Sequence, residues 1–238
     1  MSGPAPEAEG EQPVALAQRL GHRFARPELL ELALTHPSAS FEADGSRGNE
    51  RLEFLGDAVL DLVVSQLLYA AHTDWSEGDL TRARAALVNT GSLAGRARRL
   101  GLGAAAHLGR TERRGGGAEK ESILANLFEA LVAALYLDGG LEAAEALVRR
   151  LFPEAADPHA SPPPRDAKTR LNEWAHARGT LPPRYRVLED RGEGSGARRY
   201  RVAAELGDAR LGEGEGGTKR SAERQAAEAA LDALGRET

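Results

Sequence analysis

The clearest hydrophobic pattern in the chain runs through residues 49–69, NERLEFLGDAVLDLVVSQLLY. Stepped at roughly 100° per residue, Leu52, Leu55, Val59, Leu62 and Val63 share one side of a helix, and Phe54, Ala58, Leu60 and Val64 widen it. The narrow arc left over carries acids: Glu50, Glu53, Asp57 and Asp61 fall within about 80° of one another on the same wheel. Residues 121–137, ESILANLFEALVAALYL, repeat the theme, with Asn126 and Glu129 as isolated polar positions on one face. Gly139 and Gly140 end that segment. Helices apolar around most of their surface are core helices, so both are predicted to be buried.

The remaining patterns are shorter. Residues 14–20 and Pro27–Leu34 read as two helices, the second opened by Pro27 at a first-turn position. Residues 35–38 break the periodicity, and His36 beside Pro37 reads as a capping or packing residue. A polar loop over 43–48 leads to Asn49, a good N-cap for the acidic helix. At Ser76, SEGD matches a capping box and opens a helix predicted to run unbroken to Gly101. Its Arg82, Arg84, Arg96, Arg98 and Arg99 read as a solvated face, and residues 109–117, GRTERRGGG, as a flexible loop. A further helix covers residues 141–151.

Residues 153–165, PEAADPHASPPPR, lack periodicity and read as an extended Pro-rich linker. Beyond them the period changes. A helix at 166–178 precedes alternating strands at 184–189, 199–206 and 209–211; Gly212, Gly214, Gly216 and Gly217 then lead into a final helix at 218–234. This order predicts two helices packed on one face of an antiparallel sheet. The domain plan is a disordered lead-in at 1–12, a helical domain at 13–152, the linker, and an α+β domain at 166–238.

Composition narrows the chemistry. The chain has no cysteine, which excludes disulfides, zinc–thiolate sites and thiol nucleophiles and suits a reducing cytosol. No apolar run reads as a membrane span, and the opening MSGPAPEAEGEQP is no signal peptide. The net charge of −5 is uneven. Residues 166–238 hold 14 Lys and Arg against 13 Asp and Glu, whereas residues 1–165 hold 17 against 23. An acidic body thus carries a mildly basic tail module, and cations must offset the body's charge if it handles a polyanion.

The acidic arc admits two readings. It is either the wet edge of a surface helix or a site where carboxylate oxygens hold a hard cation. No Lys or Arg stands four residues on from any of the four acids, which favours the second.

Four stretches then carry a resemblance. ERLEFLGDAVL at 50–60, ESILANLFEALVAALYLD at 121–138, DAKTRLNEWA at 166–175 and GEGEGGTKRSAERQAAEAAL at 212–231 stand in register. They resemble the signature, the second metal-binding helix and the two RNA-contacting ends of the double-stranded-RNA-binding domain of bacterial-type ribonuclease III. The resemblance spans about residues 14–235. It implies a multidomain fold, an all-α endonuclease domain followed by a small α+β (α-β-β-β-α) double-stranded-RNA-binding domain. It also implies a cytoplasmic endoribonuclease that cuts double-stranded RNA, leaving 5′-phosphate and 3′-hydroxyl ends with short 3′ overhangs, in processing of precursors such as rRNA and mRNA. The implied cofactor is Mg²⁺, with Mn²⁺ able to substitute, and the implied partners are double-stranded RNA and a second copy joined through the nuclease domain.

Residue by residue, the resemblance places Glu53, Asp57, Asn126 and Glu129 at metal-ligand positions, Asp57 and Glu129 being the pair closest to hydrolysis. Glu50, Glu77 and Glu112 match acids of the substrate valley or dimer. Asn126 departs from the Asp usual there; its amide oxygen can coordinate but brings no charge. Implied RNA contacts are Lys168, Thr169, Asn172, Glu173 and His176 on one helix and Thr218, Lys219 and Arg220 at the last helix's start; in the loop at 193–200, EGSGARRY, Arg198 and Arg199 can replace the usual loop contact with phosphate contacts. That loop lacks the family's usual Pro-x-His. A rival reading keeps the scaffold for dimerisation and RNA sequestration without cutting, and Asn126 is its only support.

Overall fold

The computed structural model describes residues 16, 18–43, 47–192 and 199–236. The lead-in expected at 1–12 lies outside these residues, and of the helix expected at 14–20 only Leu16 and residues 18–20 are described, all helical. The chain divides into two compact units, Met1–Pro163 and Pro164–Thr238.

In the first unit, α1 (Pro27–Leu34) and α2 (Pro37–Ala43) lead to the acidic helix α3 (Glu50–Ala71). Then come α4 (Glu77–Leu87), α5 (Thr90–Leu100), the short α6 (Leu102–Ala105) and α7 (Arg110–Arg114), and α8 (Glu121–Leu151). Gly140 interrupts α8 with φ 75°, ψ −173°, so the stop expected at the glycine pair is a kink joining two helices. Helices α3 and α8 form the centre of the core. Leu60, Val63 and Val64 of one pack in the same cluster as Leu127, Phe128 and Leu131 of the other, all 1% exposed or less.

The backbones meet most closely at Gly56, where a Cβ would lie 1.8 Å from the carbonyl oxygen of Glu129. Only glycine allows that approach. Ala130, Ala133 and Ala134, fully buried, extend the small-residue face of α8 beside Leu52.

Several local expectations need correction. Asn49 precedes α3, but its side chain makes no cap; Nδ2 donates instead to the Ala33 carbonyl at 3.0 Å, tying α3 to the end of α1. The helix opened by the Ser76 capping box ends at Leu87, because Asn89 caps a new helix by accepting from Ser92 N at 3.0 Å. The loop at 109–117 contains α7 and the start of a 3-10 turn at Gly117–Glu119. Arg96 is no solvated residue: it is 8% exposed, its guanidinium lies 3.7 Å from the Phe152 ring centroid, and it pairs with Glu154. The expected linker therefore starts within folded structure, a 3-10 turn at Pro153–Ala156 with Ala155 buried.

The acidic helix is also less buried than its wheel predicts. Phe54 is 82% exposed, Leu62 50% and Tyr69 75%, with Ala58 exposed on the same side. By length and composition alone α3 and α8 could each cross a membrane, contrary to the reading of the sequence. Their mutual packing in the core accounts for that apolar content without a bilayer.

In the second unit, α9 (Ala167–Ala177) precedes an antiparallel sheet of β1 (Arg184–Asp190), β2 (Tyr200–Leu206) and β3 (Ala209–Gly216), ordered β1-β2-β3, and α10 (Lys219–Arg236) closes it. Strand β3 is far longer than expected, because the glycines read as a lead-in belong to it. A Cβ on Gly212, Gly214 or Gly216 would come within 2.1–2.4 Å of α10. The glycines and the buried Ala222, Ala226 and Ala230 thus let helix and strand pack almost backbone to backbone.

Candidate metal centre and nucleic-acid interface

The Gly56 contact puts the acids of α3 opposite those of α8. Glu53, Asp61, Asn126 and Glu129 are half-buried and Asp57 is exposed. Burial, reinforced by Asp57, Glu53 and Asp61, pushes the Glu129 carboxyl up to about 7. Burial also raises Glu53, as do Glu50 and Asp57, while a hydrogen bond from Asn126 partly offsets them. Asn126 therefore faces Glu53, as its position one turn before Glu129 predicts.

Among the described residues no three acidic or imidazole side chains converge closely enough to chelate an ion as they stand. The donor set still suits a hard cation. It is all oxygen, it straddles two rigid helices, and its carboxylates repel one another in a half-buried setting that positive charge would relieve.

The outlying acids behave differently. Glu50 is exposed at the start of α3. Glu112 is held by Lys120 at 2.5 Å, a hydrogen bond that outweighs desolvation and lowers its pKa. Glu77 accepts from Thr81 Oγ1 at 2.9 Å and lines a hollow of about 340 Å³ with Ser65, Tyr69 and Arg84, so it is not grouped with the cluster. Asp61, unassigned from sequence, has Arg84 Nε at 3.9 Å from α4, a partner no i+4 rule could find. His36 accepts from Ser38 N at 3.2 Å through Nδ1, the local capping role expected of it.

In the second unit, Thr169 and Asn172 of α9 line a groove of about 850 Å³ with Thr218 and Arg220. Thr218 caps α10, its Oγ1 accepting from Ser221 N at 3.1 Å. Lys219 and Arg220 are exposed with no ion pair among the described residues, cations at a helix start suited to phosphate oxygens. Ser221 and Arg224 line the same groove and were missed from sequence; spacings of three residues from Thr218 and four from Arg220 were the available signal. Asn172, Glu173 and His176 border a neighbouring hollow with Thr180 and Pro182. Glu173 is paired with Arg165 at 2.6 Å and Arg199 with Asp190 at 3.1 Å, so neither presents an uncommitted charge. Lys168 is engaged by Glu223 at 2.6 Å. Arg198 and the rest of the β1–β2 loop at 193–197 lie outside the described residues.

An acid-bearing helical unit followed by an α-β-β-β-α unit with a cation-edged groove is the arrangement expected of a nuclease of duplex RNA. The Ribonuclease-III-like family matches residues 26–155, and the double-stranded RNA binding motif matches residues 167–234. Ribonuclease 3 of Ruegeria pomeroyi is 46% identical over 220 residues, covering 92% of this chain and 96% of that protein. Ribonuclease 3 of Magnetococcus marinus is 46% identical over 228 residues, 92% of each chain. The solved nuclease domain of ribonuclease III from Campylobacter jejuni is 44% identical with a TM-score of 0.56, covering 59% of this chain and 96% of that one. The chain belongs to the ribonuclease III family. It is a double-strand-specific endoribonuclease with a double-stranded-RNA-binding domain.

Proposed function

We propose that Glu53, Asp57 and Glu129, with the amide oxygen of Asn126, hold Mg²⁺ for phosphodiester hydrolysis, and that Mn²⁺ can take its place. An ion held there would supply an activated water and stabilisation of charge on the leaving oxygen. The protein's part is positional. The Gly56 contact fixes the distance between α3 and α8, Asn126 orients Glu53, and the exposed Asp57 faces the side open to substrate. The observation that carries this reading is the backbone contact of Gly56 with Glu129, which sets the half-buried oxygens of Glu53 on one helix opposite those of Asn126 and Glu129 on the other, where burial and then Asp57, Glu53 and Asp61 raise the Glu129 carboxyl. Such a cluster is costly unless cations or protons neutralise it.

Duplex RNA is held by the groove of the second unit, with Thr169 and Asn172 at 2′-hydroxyls and Thr218, Lys219 and Arg220 on phosphates across the major groove. Two copies pair through the exposed Phe54, Ala58, Leu62 and Tyr69 of α3, an apolar face a monomer would not leave wet. The solved Campylobacter jejuni domain is described by a region involved in dimer formation, which supports the pairing. Two active sites then cut opposite strands, leaving 5′-phosphate and 3′-hydroxyl ends with short 3′ overhangs. The substrates are structured precursors such as rRNA and mRNA, and the cysteine-free chain suits a reducing cytoplasm.

End analysis tests the chemistry. Fragments of a long RNA duplex should accept a 5′ label only after phosphatase treatment and carry ligatable 3′-hydroxyls. Fragments with 3′-phosphates would exclude this mechanism. Sedimentation should give a dimer for the wild type and a monomer for Phe54→Asp.

A further inference from the structure

Lys168 stands where a cation is disfavoured. It occupies the first turn of α9, the positive end of the helix dipole. It also lines the groove, so a phosphate contact is the obvious role. The geometry points elsewhere. Its ammonium lies 2.6 Å from Glu223 Oε2 on α10 and 4.6 Å from the Tyr185 ring centroid on β1. The two paired side chains are 35% and 15% exposed, and the Tyr185 hydroxyl is buried without a partner among the described residues. An ammonium has three donors; one is spent on a shielded carboxylate while the charge rests against a ring face.

We propose that Lys168 is a positioning residue for duplex binding and not a phosphate contact. Its ion pair with Glu223 fixes α9, which carries Thr169 and Asn172, against the start of α10, where Thr218 and Arg220 line the same groove and the exposed Lys219 stands between them. This rests on the reading of the groove as the RNA-binding surface. Contacts on two elements must match the spacing of an A-form duplex at once, so the relative placement of the helices sets affinity. The pair also leaves neither charge uncommitted, because the Lys168 ammonium and the Glu223 carboxylate neutralise each other at 2.6 Å.

The test uses the full chain in metal-free buffer, where nothing is cut, with an RNA duplex longer than the roughly 16 bp such a domain spans. Affinity is measured across a salt series for Lys168→Met, Glu223→Gln, the double variant, Lys168→Arg and Lys219→Ala. Each Lys168→Met or Glu223→Gln change should weaken binding about five- to tenfold, with the double variant no weaker than the worse single, as for a coupled pair. The slope of log affinity against log salt should not change for either, and Lys168→Arg should bind like wild type. Lys219→Ala should make that slope shallower by about one. Unchanged unfolding midpoints show that binding losses are not unfolding; if Lys168→Met does not fold, Glu223→Gln decides by its sign. A Lys168→Met slope shallower by about one, or tighter binding by Glu223→Gln, would overturn the proposal. An unchanged Lys219→Ala slope would overturn the groove reading itself.

Discussion

Gly56 of the acidic helix lies against the backbone of Glu129, so close that a single added carbon would sit 1.8 Å from that residue's carbonyl oxygen. The acids proposed as metal ligands are brought to facing positions by a residue with no side chain. Gly56→Ala should therefore push α3 and α8 apart, destabilise the fold by about 1–3 kcal/mol as an overpacked core, and abolish cleavage. Duplex binding through the second unit should survive. Chemical denaturation with cleavage and binding assays checks all three.

Metal-free protein should lose stability as pH rises from about 5 to 8. Glu129 has a folded pKa of about 7, above its unfolded value, through burial and then Asp57, Glu53 and Asp61. The folded state thus binds the extra proton, and its advantage fades as pH climbs through 7. Glu129→Gln should flatten the fall, and Mg²⁺ should offset it in the wild type. Thermal midpoints at pH 5.5 and 8 with chelator, then with Mg²⁺, decide the matter.

Asn126→Asp should lower the Mg²⁺ concentration for half-maximal cleavage, because it adds a charged oxygen beside Glu53 and Glu129. It should also destabilise the metal-free protein at pH 8 by adding to the repulsion. Identical metal titrations for both proteins would remove Asn126 from the ligand set.

Asp138, 1% exposed in its side chain, meets His22 Nε2 at 2.7 Å and accepts from Ala25 N at 3.0 Å and Arg26 N at 2.8 Å. Burial opposes its charge, but the hydrogen bonds from His22, Ala25 and Arg26 outweigh it and hold the carboxyl below its usual range. Its stabilisation is present above the unfolded pKa and lost as pH falls through the folded one. Asp138→Asn should cost about 1–3 kcal/mol at pH 7 and much less near pH 3. Denaturation at the two pH values tests it.

Local chemistry was legible in the sequence, and distant packing was not. Ser76 and Asp79 form their capping box within four residues, so SEGD sufficed. The acid stripe and the Asn126–Glu129 patch were visible because helical period alone aligns them. The break at Asn89 was missed because Leu87, Val88 and Leu93 keep the apolar pattern running across it, although Asn89 and Gly91 carried a local turn signal. Arg96 was misjudged because its burial depends on Phe152, more than fifty residues away, and Gly212, Gly214 and Gly216 because helix contact across the fold is their reason. Phe54 and Leu62 read as core because a helical wheel cannot tell a buried apolar face from an exposed one. Asp138 did leave a trace: an acid at the C-terminal end of a helical segment opposes the dipole and calls for a partner.

The most direct measurement incubates the full chain with a long RNA duplex, with and without Mg²⁺, beside Asp57→Ala. The wild type should cut only with Mg²⁺, and the variant should bind the duplex as tightly and leave it whole. Cleavage by Asp57→Ala at the wild-type rate, or binding by the wild type in Mg²⁺ without cleavage, would contradict the assignment of the acid cluster as the catalytic metal centre.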